Sequence, residues 1–343
     1  MAETNINSSS GSHAQADIQE KISQCISCCG ATFQSVYKVK DANQGVQGVW
    51  DLMVCKGCGL GFIEPFPSLG QIESFYDKDF YTDEGQRFQG WIEYLRSLLA
   101  RIRGRELNGI IPGKGLLLDY GAGTGHFAQA QREKGWKVFA IDPYSTKADE
   151  DYCELDGDTI KLNFPDHYFD AVTLWYVIEH LRNPHAAITE FKRVLKPGGI
   201  LLLAQQDFGS VQARIFGPRW LILDPPRHIW QFSENNLAML AARHGFTKHM
   251  VTHSSFELGP FTILQSILNC ILGNENYLFC LLKNGGLRSD KGRKKLPAGR
   301  SFASIVLSIP LLPISLIIYY LLLLFKSGDI FVLYMTREDL KKS

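Results

Sequence analysis

The chain has 343 residues, with 36 Lys and Arg against 35 Asp and Glu and a formal charge of +1. That length can bury a large core and leaves room for one main domain plus an accessory piece. A balance so near neutral lacks the bulk-basic signature of a nucleic-acid binder. Two biased segments stand out: residues 301–325 carry no charge, and four of the eight cysteines fall in two CxxC pairs near the N-terminus.

Residues 1–22 are rich in Ser, Asn, Gln, Ala and Gly and read as a disordered lead-in. No apolar stretch near Met1 has the form of a signal peptide, which places the main domain in the cytosol or facing it. Residues 23–62 hold CISCCG, with Cys25, Cys28 and Cys29, and CKGCG, with Cys55 and Cys58, around strand-like stretches at 33–40 and 46–54. Two such knuckles predict a Zn ribbon in which Cys25, Cys28, Cys55 and Cys58 close a tetrahedral structural Zn2+ site. In a reducing compartment, metal binding is the better reading than disulfides. Cys29 is an alternative ligand to Cys28, and Gly30 and Gly59 suit the knuckle turns. Cys153, Cys270 and Cys280 read as buried small hydrophobes. Residues 63–111 form an aromatic connector and a covering helix, the helix spanning 88–107 with Trp91, Leu95, Leu98, Leu99 and Ile102 on one stripe. Tyr76 and Tyr81 either line a substrate cleft or pack the ribbon on the core.

LLLDYGAGTG, at 116–125, is an apolar run that breaks into a turn with glycines at 121, 123 and 125, followed by a helical stretch. Strand, glycine turn, helix is the geometry that lays a nucleotide-bearing ligand over a helix N-terminus. WKVFAIDPY is a second strand ending in Asp142, where an acid can hold a ribose diol or cap a turn. Asp156 and Asp158 follow, then a strand at 169–175 and Glu179–His180. FKRVLKPGG reads as a helix with a Lys/Pro/Gly stop. A strand at 200–207, a helix closed by Gly245 and the strand-like TKHMVTHSSF complete the pattern. Such alternation predicts an α/β core at 112–258, a parallel sheet with helices on both faces.

In this order, DYGAGTG, AIDPY, FPDHYFDAV, LWYVIEHLRNP, FKRVLKPGG and PPRHIWQFSENNLAMLAARHGF cover about residues 112–250. Together they resemble class I S-adenosylmethionine-dependent methyltransferases, and more narrowly those with an N-terminal Zn knuckle from polysaccharide, lipid and quinone pathways. The resemblance implies a Rossmann-like seven-stranded sheet whose last strand runs antiparallel at the edge. It also implies S-adenosylmethionine as cofactor. Asp119 would orient the turn, and Gly121, Ala122, Gly123 and Gly125 would cradle the methionine end. Asp142 with Pro143 would take the ribose, Asp158 with Thr159 would edge the adenine, and Trp175 would complete the cofactor set. His180 is the best-placed general base, because an unperturbed imidazole titrates near neutrality. Glu179 would orient it and His228 is a second base; Glu179–His180 could equally cap the next helix. Trp220, Asp224 and Arg227 belong to a loop that overhangs the substrate pocket in such enzymes. There Arg227 would grip a carboxylate or phosphate through its fork, or form a structural Arg–Asp pair.

Residues 259–325 read as a membrane-associated helical insertion before a last strand and tail at 326–343. Residues 260–279 carry an apolar stripe. Residues 283–300 hold seven Lys and Arg against one Asp, suited to an anionic membrane surface. The 25 uncharged residues at 301–325 are long enough to span a bilayer, but Pro310 and Pro313 interrupt them. With a sheet strand on the far side, the expectation is a re-entrant hairpin or interface-lying helices on the cytoplasmic face. A single span and an apolar homo-oligomer interface are the alternatives. The expected function is methyl transfer to a hydroxyl of a membrane-resident lipid or lipid-linked glycan, with no nucleic-acid partner. A soluble sugar-nucleotide acceptor and a catalytically dead binding protein are the competing readings. A nicotinamide oxidoreductase would share the glycine turn and Asp142 but leave the downstream motifs unexplained.

Overall fold

The computed structural model describes residues 21–75, 97–143, 153–156, 158–253, 259–283, 296–325 and 327–338. The lead-in, Tyr76 and Tyr81 in the connector, and most of the basic run lie outside these residues.

Three N-terminal strands, β1 (Phe33–Val39), β2 (Trp50–Cys55) and β3 (Gly61–Glu64), form an antiparallel ribbon. A short helix α1 (Leu69–Phe75) follows. Residues 97–102 are helical, so part of the covering helix is present, but the chain turns left-handed at Gly104 (φ 73°) and restarts as α2 (Arg105–Ile110). A Cβ at position 104 would stand 3.0 Å from the Gln131 side chain, so this break lets the backbone approach its neighbour closely.

The core then alternates: β4 (Leu116–Tyr120), α3 (His126–Glu133), β5 (Lys137–Ile141), a hairpin of β6 (Cys153–Asp156) and β7 (Thr159–Leu162), and β8 (Phe169–Trp175). Next come α4 (Pro184–Val194), β9 (Leu195–Gln206), α5 (Val211–Phe216), β10 (Trp230–Gln231), α6 (Glu234–Arg243) and β11 (Phe246–Thr252). Local signals set the helix starts. Asn183 caps α4 by accepting from Ala186 N at 3.0 Å, with Pro184 in the first turn, and Ser233 with Asn236 closes a capping box on α6. LKPGG leaves α4 earlier than expected. It belongs to β9, whose register against β8 jumps from Phe169–Leu195 to Ala171–Ile200, so Pro197 and its glycines fall in a bulge.

Six strands form the central sheet, in the order β11-β12-β9-β8-β4-β5, where β12 is Ile330–Arg337. The seven-stranded expectation is corrected among the described residues: β6 and β7 pair with each other and neither pairs with β5. The last strand is antiparallel, as expected, but it lies between β9 and β11 rather than at the edge. Its first six residues, IFVLYM, are all buried, and such a run needs cover on both faces. The edge falls to β11, where Thr247, Lys248 and His249 are exposed.

Between β11 and β12 lie α7 (Gly259–Leu272), α8 (Tyr277–Lys283) and α9 (Ala298–Leu324). The hairpin reading of 301–325 is corrected, because α9 is one continuous helix of 27 residues with Pro310 and Pro313 inside it. Packing along α7 on both sides of the prolines accounts for this. A Cβ on Gly259 would stand 2.0 Å from the Tyr319 ring, and one on Gly273 3.6 Å from Arg300 Nη1, so the two helices run antiparallel in contact. Ser301, Ser304, Ser315 and Tyr319 are the buried seam of α9, and the serines let the helices approach closely.

Candidate active site

β4 carries Asp119 to the glycine turn and β5 pins that turn from the side. Gly121 N and Ala122 N donate to Ile141 O at 2.7 and 3.1 Å, and Gly123 N donates to Asp142 Oδ2 at 2.8 Å. Gly121 has φ 76° and a Cβ there would stand 2.3 Å from Val177 Cγ2, so only glycine fits; above Gly123 the space is open. Asp119 is buried. Its Oδ1 accepts from Thr173 Oγ1 at 2.9 Å, while its Oδ2 has no hydrogen-bond partner among the described residues. Burial pushes its carboxyl up to about 7.

A cavity of about 300 Å³ opens beside this turn. Gly121, Gly123, Asp142 and Pro143 form one wall, and His180, Asp224, Arg227 and His228 stand in the same lining. Eight predicted site residues are thus brought together from four separate stretches of sequence. Asn43 of the ribbon, Tyr120 of β4, Tyr176, Val177 and Leu181 after β8, and Phe279 and Lys283 of α8 complete the wall, and none of them is a site residue by the sequence alone.

The two imidazoles meet edge to face at 4.8 Å between ring centres. His180 Nδ1 lies 2.9 Å from Arg227 O and His228 Nδ1 lies 2.9 Å from Ile222 O. Burial holds both rings neutral: His180 is pushed down to about 3, helped by the neighbouring His228, and His228 is also lowered. Glu179 is fully buried, which pushes its carboxyl up to about 8, and its Oε1 lies 4.0 Å from His228 Nε2.

Arg227 does not present an open fork. It donates to Asp41 at 2.9 and 3.2 Å, and to Asp224 through Nε at 2.9 Å and through Nη2. Burial alone would raise the two carboxyls, but the guanidinium beside them wins and holds both below the usual carboxylate range. Asp41 also accepts from the backbone N–H of Asn43, Gln44 and Val46, so it folds the ribbon loop around the same guanidinium. This matches the structural Arg–Asp alternative, extended by a second acid that the sequence reading had not singled out.

Other predicted residues stand off the cavity. Asp158 pairs with Arg182 at 2.8 Å, and Arg182 lies over the Phe66 ring and bonds to Pro67 O. Thr159 is exposed in β7. Trp175 packs on Phe127 at 5.1 Å between ring centres, beneath Arg103. Trp220 is buried in the core below the loop. Gly125 (φ 77°) leads into α3. Tyr76 and Tyr81 fall outside the described residues.

In the ribbon, the sulfurs of Cys25, Cys28, Cys55 and Cys58 lie within 4.8 Å of one another, with Cys25–Cys58 and Cys28–Cys55 both at 3.5 Å. Four converging thiols in a piece too small for its own core suit a tetrahedral Zn2+. Cys29 is exposed and left-handed (φ 61°), occupying in the first knuckle the turn position that Gly59 (φ 77°) fills in the second. The alternative that Cys29 ligates is corrected accordingly, whereas Gly30 keeps the role expected of it, its backbone N–H bonding the Cys28 sulfur. Cys280 is buried as expected, whereas Cys153 is half-buried and Cys270 is exposed. β3 pairs with β10, Phe62 opposite Trp230, so the ribbon is joined to the loop that carries Arg227.

Residues 86–251 match the family described as "Methyltransferase domain". A malonyl-[acyl-carrier protein] O-methyltransferase of Serratia marcescens is 31% identical over 145 residues, 40% of this chain and 56% of that one. A demethylmenaquinone methyltransferase of Renibacterium salmoninarum is 34% identical over 103 residues, 28% of this chain and 43% of that one. The chain spans about half the length of the curated relatives it matches. Among solved structures, a phosphoethanolamine N-methyltransferase 2 of Haemonchus contortus is 17% identical with a TM-score of 0.47, covering 90% of this chain and 69% of that one. The stretch 86–251, just under half of the chain, is thus similar to methyltransferase domains. The ribbon and the α7–α9 insertion lie outside it.

Proposed function

We propose that this chain transfers a methyl group from S-adenosylmethionine to a hydroxyl on a membrane-resident lipid or lipid-linked glycan. The observation that carries the reading is the shared cavity. The glycine turn and two neutral imidazoles line it, α8 forms part of its wall, and α8 packs against the apolar α9.

The residues present fit the cofactor. Asp119 Oδ2 is a buried acceptor awaiting a donor, and the space above Gly123 is open. Asp119 would accept from the amino group, Gly121 and Gly123 would let the methionine end lie against backbone, and Asp142 would hold the ribose hydroxyls. When bound, S-adenosylmethionine supplies a sulfonium methyl carbon that an acceptor oxygen attacks in line, sulfur keeping the electron pair of the broken S–C bond. The chain's own part is alignment and proton removal. A backbone carbonyl can only accept, so each Nδ1 carries the hydrogen and each Nε2 keeps a lone pair that can take the hydroxyl proton. Zn2+ in the ribbon would hold the wall that Asn43 provides.

The acceptor class follows from α9. At 27 residues it is about 40 Å long, and its outer face leaves Ile309 71% and Ile317 62% exposed. Its inner seam is fixed along α7, so an upright crossing would drag α7 and α8 into the bilayer. A helix lying in the interface, with Phe302, Ile309 and Ile317 outward, needs no such displacement. To test the assignment, the full chain is incubated with methyl-labelled S-adenosylmethionine and either membrane vesicles or a lipid-free extract. Label in the organic phase supports the reading. Label confined to soluble acceptors, sugar nucleotides included, overturns the acceptor class.

A further inference from the structure

We propose a second metal centre, in the active-site cavity: a divalent transition-metal ion held by His180, His228 and Glu179. One ring nitrogen of each histidine and one carboxylate oxygen of Glu179 lie within 4.8 Å of one another. His228 Nε2 and Glu179 Oε1 are 4.0 Å apart; donors on one ion with bonds of about 2.0–2.2 Å lie about 3.3–3.6 Å apart at the tetrahedral angle, so binding would draw this pair together by about half an ångström.

Both imidazoles already have the tautomer that a metal requires. Each Nδ1 is held at 2.9 Å by a backbone carbonyl, Arg227 O for His180 and Ile222 O for His228. A carbonyl behind Nδ1 is the arrangement that orients ligating histidines and leaves Nε2 as the donor atom. No hydrogen bond to His228 Nε2 is made among the described residues; it faces Glu179 and Asp224, each at 4.0 Å.

The third donor is equally prepared. Glu179 is fully buried, and among the described residues no lysine or arginine nitrogen lies within 4.0 Å of its carboxylate. With its amide oriented to suit its neighbours, Gln205 donates to both Glu179 oxygens at 2.8 and 3.2 Å, fixing the carboxylate from behind. A cation there would stabilise the ionised carboxylate that burial alone opposes. Asp224 stays out of the set because Arg227 engages both of its oxygens. Two imidazoles and one carboxylate leave coordination positions open, and this set suits Zn2+ or Fe2+.

The ion's role rests on the methyl-transfer reading and would replace the imidazoles as the means of activating the acceptor: it would polarise the hydroxyl, whose proton would leave to water because both Nε2 lone pairs would be on the metal. Its binding does not depend on that reading. The test is elemental analysis of the full chain purified from zinc-supplemented medium, with spectra of a Co2+-grown sample. Wild type should carry about two zinc ions per chain, and E179Q and H228Q about one. The variants should keep the thiolate-to-cobalt charge-transfer bands of the ribbon, which shows that they have folded, and lose the weaker ligand-field bands of the nitrogen and oxygen site. One zinc per chain in wild type, unchanged in both variants, overturns the proposal. Calorimetric titration of the same samples with S-adenosylmethionine separates the two readings. Cofactor binding without a second metal removes only the metal centre, and a second metal without cofactor binding removes only the methyl-transfer assignment.

Discussion

Replacing Arg227 with methionine tests what holds the acceptor loop. The guanidinium is 3% exposed and Asp41 is 0% exposed, so water cannot take over the lost contacts. Methionine keeps much of the buried volume, and the loss is therefore electrostatic rather than a cavity effect. Removing one partner of a buried pair costs about 3–5 kcal/mol, because the charge left behind is uncompensated. Here two carboxylates are stranded, which puts the expectation at the upper end of that range. The pH dependence has a definite sign. Asp41 and Asp224 are held below their ordinary range by Arg227, so in wild type this contribution is full above the unfolded value of about 3.9 and is lost as pH falls through the depressed folded values. In the variant, burial without a partner raises the same carboxyls, and protonation relieves the penalty as pH falls. Urea unfolding of both proteins should thus show a gap of about 4–5 kcal/mol at neutral pH that narrows towards about pH 4. A gap below about 1 kcal/mol at neutral pH, or one that stays constant with pH, would refute the reasoning.

Cys29→Gly should stabilise the ribbon by about 0.5–1 kcal/mol, because a left-handed position costs a side-chain-bearing residue what it does not cost glycine. Thermal melting with zinc kept saturated checks this, and an unchanged or lower midpoint counts against it. Gly121→Ala places a Cβ 2.3 Å from Val177 Cγ2 at φ 76° and should weaken S-adenosylmethionine binding at least about tenfold. Calorimetry showing wild-type affinity would mean that the turn is not the cofactor site. Ile309→Glu with Ile317→Glu should abolish flotation with anionic vesicles while leaving the melting temperature unchanged, since both side chains face outward from α9. Undiminished flotation would place the membrane contact elsewhere.

The core strands were legible because burial on both faces writes itself into local sequence: FDAVTLW and LLLDY admit few other readings. The knuckles were legible for a chemical reason, since four thiolates at that spacing have few other uses. What failed were the places where tertiary contacts override a local signal. Pro310 and Pro313 mark a break by every local rule, yet α7 holds both halves of α9 in line. The residues that complete the cavity failed for another reason. Asp41 meets Arg227 across 186 positions of sequence, and a KDANQG turn says nothing of what it will face. Arg227 reads from sequence as a substrate clamp or as half of an Arg–Asp pair; Asp224, three positions away, is within reach of that reading, whereas Asp41 is not.

The C-terminal helices are tied to the wall of the candidate cavity, and hydrogen-bond polarity shows how. Asp224 can only accept, so Asn43 must turn its amide nitrogen towards it. Asn43 Oδ1 then accepts from Asn276 at 2.7 Å, Asn276 Oδ1 from Asn269 at 2.7 Å, and Asn269 Oδ1 from Gln265 at 2.9 Å. The last carbonyl, Gln265 Oε1, accepts from the backbone N–H of Phe279 at 2.9 Å, a group that can only donate. With an obligatory acceptor at one end and an obligatory donor at the other, every amide between them has one allowed orientation. The ribbon, the acceptor loop and the α7–α8 pair therefore fit together in one arrangement, because a shift of any one would leave buried amides unpaired. Phe279, the donor at the far end, lines the cavity. Whatever seats α9 and α7 against a surface thus bears on the same wall that faces His180 and His228.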